Sequence, residues 1–340
     1  MLEGTRACLF AALVAAMGCG GTTTGDEVPG KPGIEVEPLV VELRRVPTDA
    51  VYSIAADERT VYWTDIVKGG IFAVDRDGTG HRRVTTDENP YALSVSGSQL
   101  FWLSYRDLAQ DLLQLSTVAT NGEQRRELAI GTGTELGSHP FWRVPAEGEV
   151  VYWHELNSET RITTLFAGSR RGGDLETLFE VPGRVRQTWL SGRALYYSDD
   201  AGIHALDLAT RNRSTLIADA YQLRDPVFVG NALYFIGHPW AEPLRDGLFQ
   251  VQAGVARLVL PAELSTTLSR LASDGEHLYF ADNRQPERTR LVELDPDTLE
   301  EREICLLPAP PTGNLVVEGK RLIVATSTAI YSIRTNATPQ

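Results

Sequence analysis

The chain has 340 residues, of which 42% are hydrophobic and 23% are charged, and its formal net charge is −13 at a sequence pI of about 5.0. Its 32 basic residues are scattered among 45 acidic ones, so no basic stripe is available to neutralise phosphates. This pattern argues against nucleic acid as a partner and against binding to an anionic membrane surface.

The N-terminal segment predicts export. Residues 7–17 form an unbroken apolar run, which is too short to span a membrane but fits the hydrophobic region of a signal peptide. The run leads into Ala16-Met17-Gly18-Cys19, which resembles a bacterial lipobox. The resemblance implies a lipoprotein signal peptide over residues 1–18 and lipidation of Cys19. The alternative is an ordinary secretory signal in which the cysteine has no role.

The next segment, residues 19–38, predicts a flexible tether. It is rich in Gly, Thr and Pro and has no apolar period, as expected of a linker without a core to join. A lipid on Cys19 would hold the protein in the cell envelope. Gly20 stands where an inner-membrane retention signal typically has Asp, so the outer membrane is favoured if the host is Gram-negative.

A short apolar motif then recurs seven times. The middle residues of its copies are separated by 39, 51, 44, 38, 45 and 44 positions, and they are Tyr62, Phe101, Tyr152, Tyr196, Tyr234, Tyr279 and Ile323. A period of about 40–45 residues made of short strands is typical of β-propellers. We therefore predict an all-β fold, a propeller of seven four-stranded blades over residues 39–335 with a polar tail at 336–340. Six blades are the alternative.

The two ends of this region predict how the ring closes. The last repeat ends after its third strand, Ala329–Ile333, and lacks an outer strand. Residues 39–46 form an apolar stretch that has no hairpin partner of its own. Pairing the two segments would complete blade seven and hide both exposed edges. The N-terminal strand is thus predicted to close the last blade.

Blade one carries a family resemblance. It contains Tyr62-Trp63-Thr64-Asp65, then Ile71, then the turn Asp75-Arg76-Asp77-Gly78. This order is similar to the YWTD repeat, the propeller module of lipoprotein-receptor ectodomains, and the later blades carry only degenerate copies. The resemblance implies a non-enzymatic ectodomain that binds other proteins. Similar propellers also occur in bacterial secreted lipoproteins.

Polar residues that precede the inner strands predict a ring at the mouth of the central channel. They are Asp49, Asn89, His139, Asp225 and Asn314. Oxygen donors with one imidazole suit a divalent cation, so a metal or small-ligand site is one interpretation. The other is that these side chains cap turns, as Asp and Asn often do. No catalytic residue is predicted.

Loops between second and third strands supply a second candidate surface. Its residues are Tyr105, Arg106, Asp107, His238, Trp240 and Glu242. An aromatic ring beside charged groups on a long loop is a plausible binding hot spot, although Trp240 could equally fold back on its own blade.

The sequence therefore favours an exported, lipid-anchored propeller that acts as a binding platform for a protein or glycan. A metal-dependent enzyme of the lactonase or lyase type, working at the channel mouth, is the alternative. A structural assembly subunit is a third interpretation. A single cysteine, Cys305, remains in the predicted propeller, so no disulfide framework is expected.

Overall fold

The computed structural model describes residues 40–46, 51–107, 112–132, 144–147, 149–157, 159–169, 175–262, 268–285 and 288–335. The predicted signal peptide, Cys19, the tether, Asp49, His139 and the polar tail lie outside these residues. The described residues form strands, turns and irregular loops, and no helix among them could cross a membrane.

The described residues contain twenty-eight strands. The first fourteen are β1 Val40–Arg45, β2 Val51–Ala56, β3 Thr60–Asp65, β4 Gly70–Asp75, β5 Arg82–Thr85, β6 Pro90–Ser96, β7 Gln99–Asp107, β8 Leu112–Ala119, β9 Arg126–Thr132, β10 Ala146–Glu147, β11 Val150–Asn157, β12 Ile162–Ser169, β13 Leu175–Pro182 and β14 Gln187–Ser191. The others are β15 Ala194–Asp199, β16 Gly202–Asp207, β17 Arg213–Ile217, β18 Tyr221–Val229, β19 Ala232–Pro239, β20 Gly247–Gln252, β21 Val255–Pro261, β22 Leu268–Ser273, β23 Leu278–Gln285, β24 Arg288–Leu294, β25 Glu301–Leu307, β26 Val316–Glu318, β27 Arg321–Ala325 and β28 Ala329–Arg334.

These strands form seven four-stranded antiparallel sheets in a ring, which confirms the seven-bladed propeller. Blades one to six are β2–β5, β6–β9, β10–β13, β14–β17, β18–β21 and β22–β25. Blade seven has the order β1-β28-β27-β26, with β1 antiparallel to β28. The N-terminal strand therefore closes the ring as predicted. Leu43 and Val46 at this closure are buried in one cluster with Ile330.

The second strand of each blade is apolar at consecutive positions because both of its faces are buried. Tyr62 on β3 packs toward blade two, in a cluster with Leu93 and Trp102. Trp63, its neighbour, packs toward blade seven, in a cluster with Ile323. Tyr62 and Trp63 are 1% and 2% exposed. Alternate residues of one strand thus join two different interfaces between blades.

In blades one, four and six, an aspartate at or near the end of the second strand bonds the backbone that follows it. Asp65 accepts a hydrogen bond from the Lys68 amide at 2.8 Å, and Asp199 accepts one from the Ala201 amide at 2.7 Å. Asp282 accepts one from the Arg284 amide at 2.8 Å. The last residue of the YWTD-like sequence therefore caps a turn in this protein, a common use of Asp.

The inner strands differ from the sequence prediction in two places. The inner strand of blade three, β10, has two residues and begins at Ala146, several positions after the predicted start beyond Pro140. Asp225 was expected in the loop before the inner strand of blade five, but it lies inside β18, at a bulge between Arg224 and Val227. The bulge accounts for the error, because an Asp-Pro pair is usually a turn signal.

Candidate functional site

The antiparallel order of the blades gives the ring two different faces. The loops that lead into the inner strands and the loops between second and third strands lie on one face, here called the loop face. The turns between first and second strands and between third and fourth strands lie on the other, here called the turn face. The inner strands run between the two faces and surround the central channel.

Two channel-mouth candidates adopt a backbone conformation that is uncommon for residues with a side chain. Asn89, directly before β6, has φ 49°, and Asp225, inside β18, has φ 48°. Arg270, inside β22, has φ 60° and lies at the equivalent bulge of blade six. Asn and Asp tolerate this region better than Arg does. Of the three residues, Arg270 is therefore the one whose backbone conformation is most strained.

Asn314 joins blade seven to blade one. Its Oδ1 accepts a hydrogen bond from the Ile54 amide at 2.8 Å, and its Nδ2 donates to the Ile54 carbonyl at 2.9 Å. Ser53 Oγ donates to the same Oδ1 at 3.3 Å and accepts from the Leu93 amide at 3.0 Å. These bonds connect the inner strands of blades one and two with the segment that leads into the inner strand of blade seven.

The channel itself contains a cavity of about 500 Å³ bounded by the inner-strand side of all seven blades. Asp225 and Asn314 lie in its wall together with Gln187 and Trp189, whereas Asn89 does not. Asp49 and His139 lie outside the described residues. Within the described part of the chain, no three His, Cys, Asp or Glu residues lie close enough together to hold a metal ion.

The two groups of outer-loop candidates lie on different blades. Tyr105 and Arg106 are at the end of β7 in blade two, where Tyr105 stacks on Tyr91 with 5.2 Å between ring centroids. Arg106 pairs with Glu127 at 3.4 Å. Asp107 ends the same strand, and its side chain lies outside the described atoms. This group is folded onto its own blade.

The second group forms a platform on blade five. The Trp240 indole is 44% exposed, and the Arg186 guanidinium lies 4.4 Å from its ring centroid. Arg186 comes from the loop between β13 of blade three and β14 of blade four. Its Nε and one terminal nitrogen both donate to Asp200 Oδ1, at 3.0 and 2.6 Å. The Trp240 amide donates to the Ala220 carbonyl at 3.1 Å. The ring is therefore held in place by both its backbone and a cation.

The other two candidates of this group lie within two residues of Trp240 in the sequence. His238 meets Trp240 edge-on at 6.5 Å, and Glu242 pairs with Arg245 at 3.4 Å. Leu244, in the same loop, is 96% exposed. Arg186 and Leu244 were not predicted from the sequence. The length of the loop between β19 and β20 was the available signal for Leu244, whereas the contact of Arg186 with the next blade has no signal in a single sequence.

Comparison with known proteins supports the fold and leaves the function open. No protein-family model and no curated protein matches this chain. Among solved structures, the chain is similar to an oligogalacturonate lyase in complex with manganese, with a TM-score of 0.60 at 12% identity over 87% of this chain and 92% of that one. It is also similar to hydrazine synthase from Kuenenia stuttgartiensis, with a TM-score of 0.61 at 15% identity over 91% and 100% of the two chains.

A third similar structure is an extracellular domain from B. thetaiotaomicron, with a TM-score of 0.59 at 12% identity. The match covers 85% of this chain and 39% of that one. At such identities, these proteins share the propeller architecture with this chain, and one fold of this kind serves many functions.

Proposed function

We propose that this protein is an exported lipoprotein, anchored through Cys19, whose propeller is a binding platform for a protein or glycan partner. The observation that carries the proposal is the Trp240 platform on the loop face. A large aromatic ring that stays 44% exposed while a neighbouring blade supplies a cation to stack on it is pre-organised for contact. Aromatic anchors of this kind dominate many binding interfaces.

The surroundings of the ring fit the same role. Leu244 adds exposed apolar surface, and the ion pair of Arg245 with Glu242 provides a polar border. Aromatic and apolar contacts at the centre with charged groups at the rim are the usual arrangement of an interface. The blade-two group contributes less, because Tyr105 and Arg106 already contact their own blade.

The experiment uses the full-length protein in membranes of its host, with chemical cross-linking and identification of the attached partner. Trp240→Ala should weaken capture by about 30-fold, the effect of losing a hot spot worth about 2 kcal/mol. Val255→Ala is the matched control, because Val255 is 66% exposed on the outer strand β21. Equal capture by wild type and both variants would contradict the proposal.

The anchor needs its own test. Growth with a labelled fatty acid should label the wild-type protein and leave Cys19→Ser unlabelled. An unlabelled wild type would remove the lipoprotein part of the proposal and leave the platform untouched. One tightly bound divalent ion per chain, found by elemental analysis of protein purified without chelator, would instead favour the metal-dependent enzyme.

A further inference from the structure

The central cavity has the size and the wall of a small-molecule site. Its volume of about 500 Å³ falls within the range of ligand pockets, about 300–1,000 Å³. Its wall combines apolar side chains with amide and hydroxyl groups from the inner strands. The apolar members include Trp189, Val227, Phe228 and Leu271. Such a mixture of apolar surface and a few polar groups is typical of pockets that orient a ligand.

Several polar atoms in this wall have no partner. Gln187 Oε1, Trp189 Nε1 and Ser94 Oγ are sealed from solvent and make no hydrogen bond to any described residue. Leaving a buried donor or acceptor unpaired costs about 1–3 kcal/mol, so each of these atoms requires an explanation. Asn314, in the same wall, has both amide atoms bonded. The unpaired atoms are therefore not a general property of the channel.

The charges of the wall largely cancel. Asp225 and Glu318 are its only charged residues among those described. Burial has the largest effect on Arg270 and lowers its pKa. The negative charge of Asp225 acts in the opposite direction and favours the charged guanidinium. Glu318 stands opposite Arg321 in the ladder of β26 and β27. The wall thus presents neither a strong anionic nor a strong cationic field.

We propose that the central cavity binds a neutral, hydroxyl-rich small molecule of the size of a monosaccharide or cyclic polyol, with Gln187 and Ser94 as its hydrogen-bonding residues. A hydroxyl group both donates and accepts, so it can satisfy an amide oxygen and a serine hydroxyl together. Both atoms are inaccessible in this side-chain conformation, so binding requires the Gln187 carboxamide and the Ser94 hydroxyl to rotate toward the cavity. Trp189 and Phe228 offer apolar surface to the C–H faces of the ligand.

A second cavity provides a route toward this site from the turn face. It has a volume of about 620 Å³ and shares Ala56, Val95 and Glu318 with the central cavity. Its other walls include Arg59 and Arg82 from blade one and Asn121 from blade two. The two cavities therefore adjoin at the turn-face end of the channel, on the opposite side of the ring from Trp240.

The test is isothermal titration of the full propeller with a charge-matched series: D-glucose and myo-inositol as neutral probes, D-glucuronate as the anion and D-glucosamine as the cation. At least one neutral probe should bind with a Kd of about 1 mM or tighter. The two charged probes should bind at least about tenfold more weakly than D-glucose. No binding of either neutral probe, or a preference for a charged one, would overturn the proposal.

Variants locate the site. Gln187→Met should weaken binding of the neutral probe by at least about tenfold, and Ser94→Ala provides a second, smaller change in the same wall. Ser214→Ala on the outer strand β17 is the control and should bind as wild type. Unchanged binding by Gln187→Met would place the ligand elsewhere and refute the assignment.

Discussion

Two sides of the same channel treat their buried polar groups differently. Where blade seven meets blade one, Asn314 and Ser53 bond each other and the backbones of Ile54 and Leu93. In blade four, Gln187 and Trp189 each have a buried polar atom that finds no partner among the described residues. The exposed fractions of Asn314 and Gln187 are almost equal, at 5% and 4%. Burial alone therefore does not explain the difference.

The buried polar groups on the two sides of the channel therefore have different roles. The first side joins the two ends of the chain, so its polar residues serve closure. Blade four lies far in the sequence from the strands β1 and β28 that close the ring. Its polar groups are therefore not needed for closure and can serve a different function. Proteins usually depart from complete hydrogen bonding at sites that have a function. The following predictions test whether the two sides differ in this way.

The largest effect is expected from removing the closure strand. A chain that begins at Asp49 lacks β1, and with it Leu43, Val46 and the ladder with β28. Burying two such side chains and pairing the edge strand is worth at least about 5 kcal/mol. Urea unfolding should show this loss relative to a chain that begins at Pro38. Equal stability of the two chains would mean that blade seven does not need β1.

Core packing of the closure side should have the next largest effect. Tyr62→Ala removes a ring that is 1% exposed and should lower the free energy of unfolding by about 3–5 kcal/mol. Tyr62→Phe retains the ring and loses only the hydrogen bond from its hydroxyl to Asp57 at 2.9 Å, so it should cost about 1 kcal/mol. Similar losses for both variants would show that the hydroxyl, rather than the packed ring, holds the interface.

A buried histidine between blades three and four should make stability depend on pH. Burial is the main reason that the pKa of His154 is lowered from 6.5 to about 4, and Arg184 adds to it. Between these pH values the unfolded chain binds a proton at His154 that the folded protein does not bind. The contribution to stability is therefore complete above about pH 6.5 and falls as the pH drops toward 4, by about 3 kcal/mol in total.

The measurement compares unfolding free energies of the wild type and His154→Leu at pH 7 and pH 4.5. The wild type should lose more stability than the variant over this interval, since the variant has no group to protonate at this position. Equal losses would mean that His154 is accessible to protons in the folded protein.

The architecture could be predicted from the sequence because it depends on local and repeated signals. The recurrence of the aromatic second strands fixed the number of blades, and the unpaired ends of the chain indicated their closure through β1. Asp225 was misplaced because a bulge inside a strand and a turn before a strand carry the same Asp-Pro signal. The contact of Arg186 with Trp240 joins residues on different blades, so its geometry depends on packing that no local pattern encodes.

The candidate site was less predictable for the same reason. Gln187 begins the inner strand of blade four and Asn314 lies two residues before that of blade seven, and nothing in the sequence predicts their different roles. Their difference arises from their neighbours: Asn314 lies beside the Ile54 backbone, whereas no described group pairs with Gln187 Oε1. The residues around a buried amide thus determine whether it stabilises the closure of the ring or is available to a ligand.

The most direct test of the difference between the two sides is a pair of matched substitutions measured by urea unfolding. Asn314→Leu and Gln187→Met each replace a buried amide by an apolar side chain of similar volume. Asn314→Leu should lower the free energy of unfolding by about 2 kcal/mol, because the Ile54 amide and carbonyl lose their partners. Gln187→Met should leave it unchanged or raise it by up to about 1 kcal/mol, because it removes an unpaired acceptor. A similar loss for both would contradict the account.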